Sequence, residues 1–410
     1  MNILESVKSR FLRYVQVDTQ SANESGVFPT TLKQLDLAAM LAEECKSIGL
    51  TDVCQDEYGY VYASLPSNIQ TEAPTIGFVA HMDTSPDCSG VNVKPRVIHD
   101  YDGGDIALGA VTLSPAEFPS LNQYKGLDII TASGGTLLGA DDKAGLAEIL
   151  TAMEYLIENP DIRHGKIRVG FTPDEEVGHG VDRFDLEIFG AAYAYTIDGG
   201  EIGELEAENF NAARAIINIT GKSIHTGSAK GIMVNAALIA VELASRMPEN
   251  EIPAQTEGYE GFFHLLDIQG QVEHARVVFL IRDFDVDSFN ARKAFIKENV
   301  TGLNEKYEGA LSLNLYDEYL NMAGPLAEHG PVVDRAHKAM EDAGIIPIRK
   351  PIRGGTDGSR LCYMGLPCPN IFTGGHNAHG PYEYIPLRSM EKAVEVIVNI
   401  CKSSVQGFVQ

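Results

Sequence analysis

His81-Met82-Asp83, Asp141-Asp142-Lys143, Asp174-Glu175-Glu176, Asp198-Gly199-Gly200 and His379-Gly380 set acids and histidines beside glycine or at the end of an apolar run. Carboxylate oxygens and imidazole nitrogens are the donors that zinc and related divalent ions take. Brought together, they would suit a two-metal site and metal-assisted hydrolysis. The strand-like run 75–80 ends at His81, and extended geometry would send His81 and Asp83 to one side. There the imidazole could bind metal while the carboxylate fixes its tautomer; a solvated turn with an Asp cap is the plainer alternative. Asp141 or Asp142 could cap the helix that opens there, yet two adjacent acids between glycines also suit a carboxylate that bridges two ions. Three consecutive acids at 174–176 are costly at a strand end unless water or cations surround them. The chemical reading gives one Glu to a metal and lets its neighbour shuttle a proton. Asp198 closes the apolar run 191–197, and the glycine-rich loop 374–380 holds two imidazoles, His376 and His379. Spacing alone does not choose between them.

Groups so far apart in sequence need a scaffold. Apolar residues recur at helical spacing over 2–16, 31–48, 142–157, 228–246, 286–306, 328–343 and 388–403. Short apolar or β-branched runs predict strands at 61–65, 75–80, 166–172, 192–197, 212–219, 262–269, 275–281 and 310–315. Strand and helix alternate through the first half, which predicts an α/β fold with a parallel or mixed sheet covered by helices. Segment 86–135 is rich in glycine and proline and reads as an elaborated loop or small β insertion. Residues 211–320 follow the order β-α-β-β-α-β of a ferredoxin-like unit, and none of the acid and histidine motifs falls inside them. The economical organisation is a discontinuous catalytic domain, 1–210 with 321–410, and an inserted second domain, 211–320, which the resemblance described below implies is a lid.

Bulk properties narrow the class. The chain has 410 residues, 44% hydrophobic and 22% charged, which is ordinary for a soluble globular protein. A formal net charge of −25 argues against nucleic acid or an anionic membrane as partner. Cys45, Cys54, Cys88, Cys362, Cys368 and Cys401 form no CxxC pair and read as reduced cytosolic thiols. Five intervening residues with an embedded Gly-Leu-Pro count against Cys362 and Cys368 as a metal pair. The N-terminal segment lacks a signal-peptide pattern, and no stretch is long and apolar enough to span a membrane. The expected location is cytoplasmic; a homodimer is left open.

The order His-x-Asp, Gly-Ala-Asp-Asp-Lys-Ala-Gly, Asp-Glu-Glu-Val-Gly, Ile-Asp-Gly-Gly and a late His-Gly resembles the two-zinc aminoacylase/carboxypeptidase-like metallopeptidase family. The likeness covers nearly the whole chain, including Arg10-Phe11-Leu12-Arg13-Tyr14-Val15, Asp18-Thr19-Gln20-Ser21, the insertion after His81 and the run 354–358. The resemblance implies His81, Asp141 and Asp198 as ligands, with Asp141 bridging two zinc ions and Glu176 and His379 completing the ligand set of the second ion. It implies that Asp83 orients His81 and that Glu175 is the general base for a metal-bridging water. It also implies substrate contacts from His225 in a lid motif, Asn235 in the lid helix, and Arg282 and Arg353 as carboxylate clamps. The activity implied is removal of the N-terminal residue of tripeptides. A dipeptidase, carboxypeptidase or N-acyl-amino-acid deacylase of the same family is the alternative.

Overall fold

Ile76–His81, Ile167–Thr172 and Tyr193–Gly199 are buried along almost their whole length. Strands covered on both faces require such unbroken apolar runs. The computed structural model describes residues 1–23 and 25–405 and places these strands at the centre of an eight-stranded mixed sheet. Its order is Thr51–Gln55, Val61–Leu65, Ile167–Thr172, Ile76–His81, Tyr193–Gly199, Asn370–Phe372, Glu204–Glu206 and Ile348–Arg349. The four strands from Ile167–Thr172 to Asn370–Phe372 run parallel to one another. Their carboxyl ends therefore lie along one edge, where open α/β sheets place their ligands.

Helix Ala140–Glu158 packs against Ile76–His81 and Tyr193–Gly199, and the helices Ile3–Tyr14 and Leu387–Ser403 pack against it. It is buried on nearly every side, so its register is fixed by the core. Gly145 shows how tightly: a Cβ there would lie 2.0 Å from the main-chain oxygen of Ile197. Buried Arg10 joins Glu44 and Glu154 at 2.8 Å each and so ties three helices together.

Segment 86–135 contains only short pieces. Arg96–Ile98 and Ile129–Thr131 pair, Tyr384–Pro386 adds a third strand, and Ile106–Leu108 forms a hairpin with Val111–Leu113. Tyr101, Leu108, Leu121, Tyr124 and Tyr384 share a small core beneath them.

The described chain falls into two compact units. The larger comprises Met1–Ala207, Gly324–Lys350 and the chain from Thr356 onward; the smaller comprises Glu208–Ala323 and Pro351–Gly355. The short return segment belongs to the smaller unit because Ile352 exchanges main-chain bonds with Glu208 at 2.8 Å and Phe210 at 3.2 Å. The smaller unit is a four-stranded antiparallel sheet ordered Phe262–Gly270, His274–Asp283, Asn211–Thr220, Leu311–Tyr319. Helices Ala236–Ala244 and Val286–Lys306 cover one face, over a core that includes Ile217, Phe263, Val277, Phe289 and Leu303.

Helix 228–246 is shorter than its periodicity predicts. Gly231 turns at φ 73°, Val234 pairs with Lys222, and Asn235 caps a helix that begins only at Ala236. Strands Asn370–Phe372, Glu204–Glu206 and Ile348–Arg349 are too short to show a period of two, and the pattern misses them. No described helix is long and apolar enough to cross a membrane, and the six cysteines are unpaired.

Candidate metal centre

Strand Ile76–His81 delivers His81 at its final position. The ring Nδ1 donates to the main-chain oxygen of Asp83 at 3.1 Å and lies 3.3 Å from its carboxylate. That fixes the tautomer and leaves Nε2 free as a ligand atom. Nε2 stands 2.9 Å from Asp141, 3.4 Å from Asp198 and 4.0 Å from Glu175. The Asp83 carboxylate also accepts from the main-chain N–H groups of Glu175 at 3.0 Å and Glu176 at 3.2 Å. It therefore fastens two strand ends to each other as well as orienting a ring.

The adjacent acids at 141 and 142 part company. Gly139 takes φ 83°, the left-handed region that favours glycine, and the peptide between Asp141 and Asp142 is cis. Asp141 reaches outward between two imidazoles, His81 at 2.9 Å and His379 at 3.2 Å. Asp142 turns into the core, where it accepts from the main-chain N–H groups of His81 and Gly145 at 3.1 Å each.

The three acids after strand Ile167–Thr172 also divide. Asp174, at φ 56°, is buried and accepts from Thr30 N at 2.6 Å, the Thr30 hydroxyl and Gln34 Nε2 at 2.7 Å. Those bonds offset the cost of burying it. Glu176 meets His379 Nε2 at 2.8 Å, while its other carboxylate oxygen is buried with no hydrogen-bond partner. Glu175 borders His81 and Asp198. Burial, and then the charge of Asp198, hold its carboxyl well above the usual range.

Two donor sets result. His81, Asp141 and Asp198 form one; Asp141, Glu176 and His379 form the other, and within each the ligand atoms lie within 4.8 Å of one another. Asp141 belongs to both. The three carboxylates outnumber the two imidazoles, and the protein's own groups respond to that surplus. Hydrogen bonds donated to Asp141 and Glu176 push His379 up to about 11. Burial, reinforced by Asp141, pushes Glu176 up to about 8. Together with the orphaned oxygen of Glu176, this nitrogen and oxygen donor set fits two divalent cations.

His376, the other imidazole of the loop, lies outside both sets. Its Nε2 bonds the Tyr124 hydroxyl at 2.8 Å, its ring stacks on Tyr384, and Nδ1 faces Glu201 at 3.4 Å.

The four expected substrate contacts all belong to the smaller unit. His225 is exposed and accepts from Gly227 N at 3.2 Å, and Asn235 caps its helix through Leu238 N at 3.2 Å. Arg282 pairs with Glu318 at 3.0 Å, but Glu318 also pairs with Arg214 at 2.6 Å, so the trio keeps one positive charge. Arg353 donates to the carbonyls of Gly258 at 2.7 Å, Glu260 at 3.1 Å and Thr256 at 3.2 Å, beside the rings of Phe210 and Phe262.

Residues to which the sequence reading gave no role hold the site in place. Glu383 accepts from three main-chain amides of segment 138–141. Asp357 is buried, accepts from the Thr172 hydroxyl at 2.7 Å, and is pushed up to about 7, chiefly by burial. Thr356 reaches Asp198 at 3.4 Å. The visible signal for Glu383 was a lone acid among Pro381, Tyr382, Tyr384, Ile385 and Pro386.

Comparison with known proteins follows the same lines. Residues 132–403 match the profile of peptidase family M20/M25/M40. Peptidase T of Clostridium perfringens is 57% identical over 401 residues, covering 97% of this chain and 99% of that one. The crystal structure of aminopeptidase PepT from Bacillus cereus superposes with a TM-score of 0.77 at 25% identity, covering 98% of this chain and 99% of that one. A tripeptidase from Staphylococcus aureus shares the fold, with a TM-score of 0.75 at 23% identity over 98% and 99% of the two chains.

Proposed function

We propose that this chain, which belongs to peptidase family M20/M25/M40 and within it to the peptidase T group, is a metal-dependent aminopeptidase that removes the N-terminal residue of tripeptides. The observation that carries the metal chemistry is Asp141, common to two converging donor sets beside a partly buried glutamate that belongs to neither. His81 and Asp198 would hold one ion, Glu176 and His379 the other, with Asp141 between them. Zinc is the proposed occupant, since two imidazoles among carboxylates are donors it favours. When bound, the pair would lower the pKa of a water and polarise the peptide carbonyl.

The protein's own groups supply the rest. Glu175 takes a proton from the attacking water, a role that its place beside His81 and Asp198 allows. It then delivers the proton to the departing amine. Asp83 holds His81 and the acid loop in register, so that base and ligands keep their spacing. His225, Asn235, Arg282 and Arg353 are the proposed substrate contacts, and the net positive charge of the Arg214–Glu318–Arg282 trio supports a carboxylate-binding role for Arg282. Unpaired cysteines support a cytoplasmic location.

Zinc-reconstituted protein, with a chelated control, is to be assayed on Ala-Ala-Ala beside Ala-Ala and N-acetyl-alanine. Chelator-sensitive release of the N-terminal alanine from the tripeptide alone is expected. Cleavage of the dipeptide or of N-acetyl-alanine would keep the metal mechanism and move the substrate class. Glu175→Ala should retain both ions and lose turnover by a factor of roughly 10²–10⁴; undiminished turnover would remove Glu175 as the base.

A further inference from the structure

Glu383 follows His379 by four positions, is almost wholly buried, and spends its carboxylate on another segment's main chain. Oε2 accepts from Leu138 N at 2.6 Å and Gly139 N at 2.7 Å, and Oε1 accepts from Asp141 N at 3.1 Å. The left-handed turn at Gly139 converges these amides, and a carboxylate held by several N–H groups is a strong, directional anchor. The loop that bears Glu383 is itself closed. His376 N donates to Tyr384 O at 2.9 Å, Tyr384 N returns a bond to His376 O at 3.1 Å, and Asn377 Nδ2 donates to Tyr382 O at 3.2 Å. Glu383 therefore clips the loop of His379 to the turn of Asp141, two of the three residues in the second donor set.

We infer that Glu383 is a positioning residue for the second ion, setting the separation of Asp141 and His379 through backbone amides. This rests on the two-ion reading above. Glu383→Gln is the informative variant because it preserves size. Its remaining oxygen still accepts from Leu138 and Gly139, while its amide N–H groups confront the N–H of Asp141.

Metal-free protein is titrated with zinc against a chromophoric chelator, and with cobalt followed by visible absorption, so that affinity is read without turnover. In Glu383→Gln, affinity for the second ion should fall roughly ten- to hundred-fold and that for the first ion less. The cobalt spectrum of the two-ion form should shift, and the metal-free melting temperature should stay close to that of the unsubstituted protein. On Ala-Ala-Ala, kcat should recover as metal is raised, with KM unchanged. Glu383→Ala should lose the second ion and some metal-free stability as well. Unchanged affinities in Glu383→Gln, with or without a lower melting temperature, would overturn the inference and leave the two-ion reading intact. Fewer than two ions on the unsubstituted protein would overturn both.

Discussion

Asp141 is the one carboxylate that both donor sets require, so its loss should look different from the loss of any other ligand. Asp141→Asn should abolish tight binding of both ions, whereas Asp198→Asn and Glu176→Gln should each weaken one. Equilibrium dialysis with metal analysis separates these outcomes, and one ion retained at full affinity in Asp141→Asn would exclude the bridge. The loop histidines divide in the same way. His379→Ala should lose the second ion, while His376→Ala should keep both and cost about 1–2 kcal/mol, because it removes a buried bond to the Tyr124 hydroxyl and the stack on Tyr384; metal content and thermal unfolding measured side by side test the pair. At this scale the sequence is legible in residue type and illegible in direction. Asp141 and Asp142 are chemically identical neighbours, and backbone geometry alone sends one outward and the other into the core. Glu383 escapes notice for another reason: its partners are main-chain amides some 245 positions away, which have no letter in the sequence.

Between elements, the decisive distance is the one separating helix Ala140–Glu158 from strand Tyr193–Gly199. Asp141 lies at the start of the helix and Asp198 near the end of the strand, so their packing distance sets the spacing within the first donor set. Gly145 permits that approach. Gly145→Ala would put a methyl 2.0 Å from Ile197 O and 2.5 Å from Asp142 Oδ1, and should cost about 1–3 kcal/mol or more as the two elements part. Affinity for the first ion should fall with it, which distinguishes this strain from general loosening; unfolding measurements and metal titration on one preparation decide the matter. Long, strongly patterned elements were legible: Val286–Lys306 and Leu387–Ser403 fall where their apolar spacing predicts. Three-residue strands were not, because Asn370–Phe372 is defined by its place between Tyr193–Gly199 and Glu204–Glu206 and by nothing local.

For the molecule as a whole, the smaller unit brings its own four-stranded sheet, two helices and a core running from Ala213 to Leu311. We expect the excised segment 208–323 to fold alone, with a cooperative thermal transition seen by circular dichroism; a broad, gradual melt would show that it depends on the rest of the chain. The larger unit lacks such independence along the sequence, since the strand Asn370–Phe372 lies inside its sheet yet arrives after the whole smaller unit. On a translating ribosome that order becomes a schedule. His81, Asp141 and Asp198 have all been made by position 198, but His379 follows 181 residues later, on the order of ten to forty seconds at ordinary elongation rates. A growing chain can offer a complete donor set for one ion well before the second exists. The second donor set stays incomplete throughout that interval, so a two-ion site cannot exist while the smaller unit is being made.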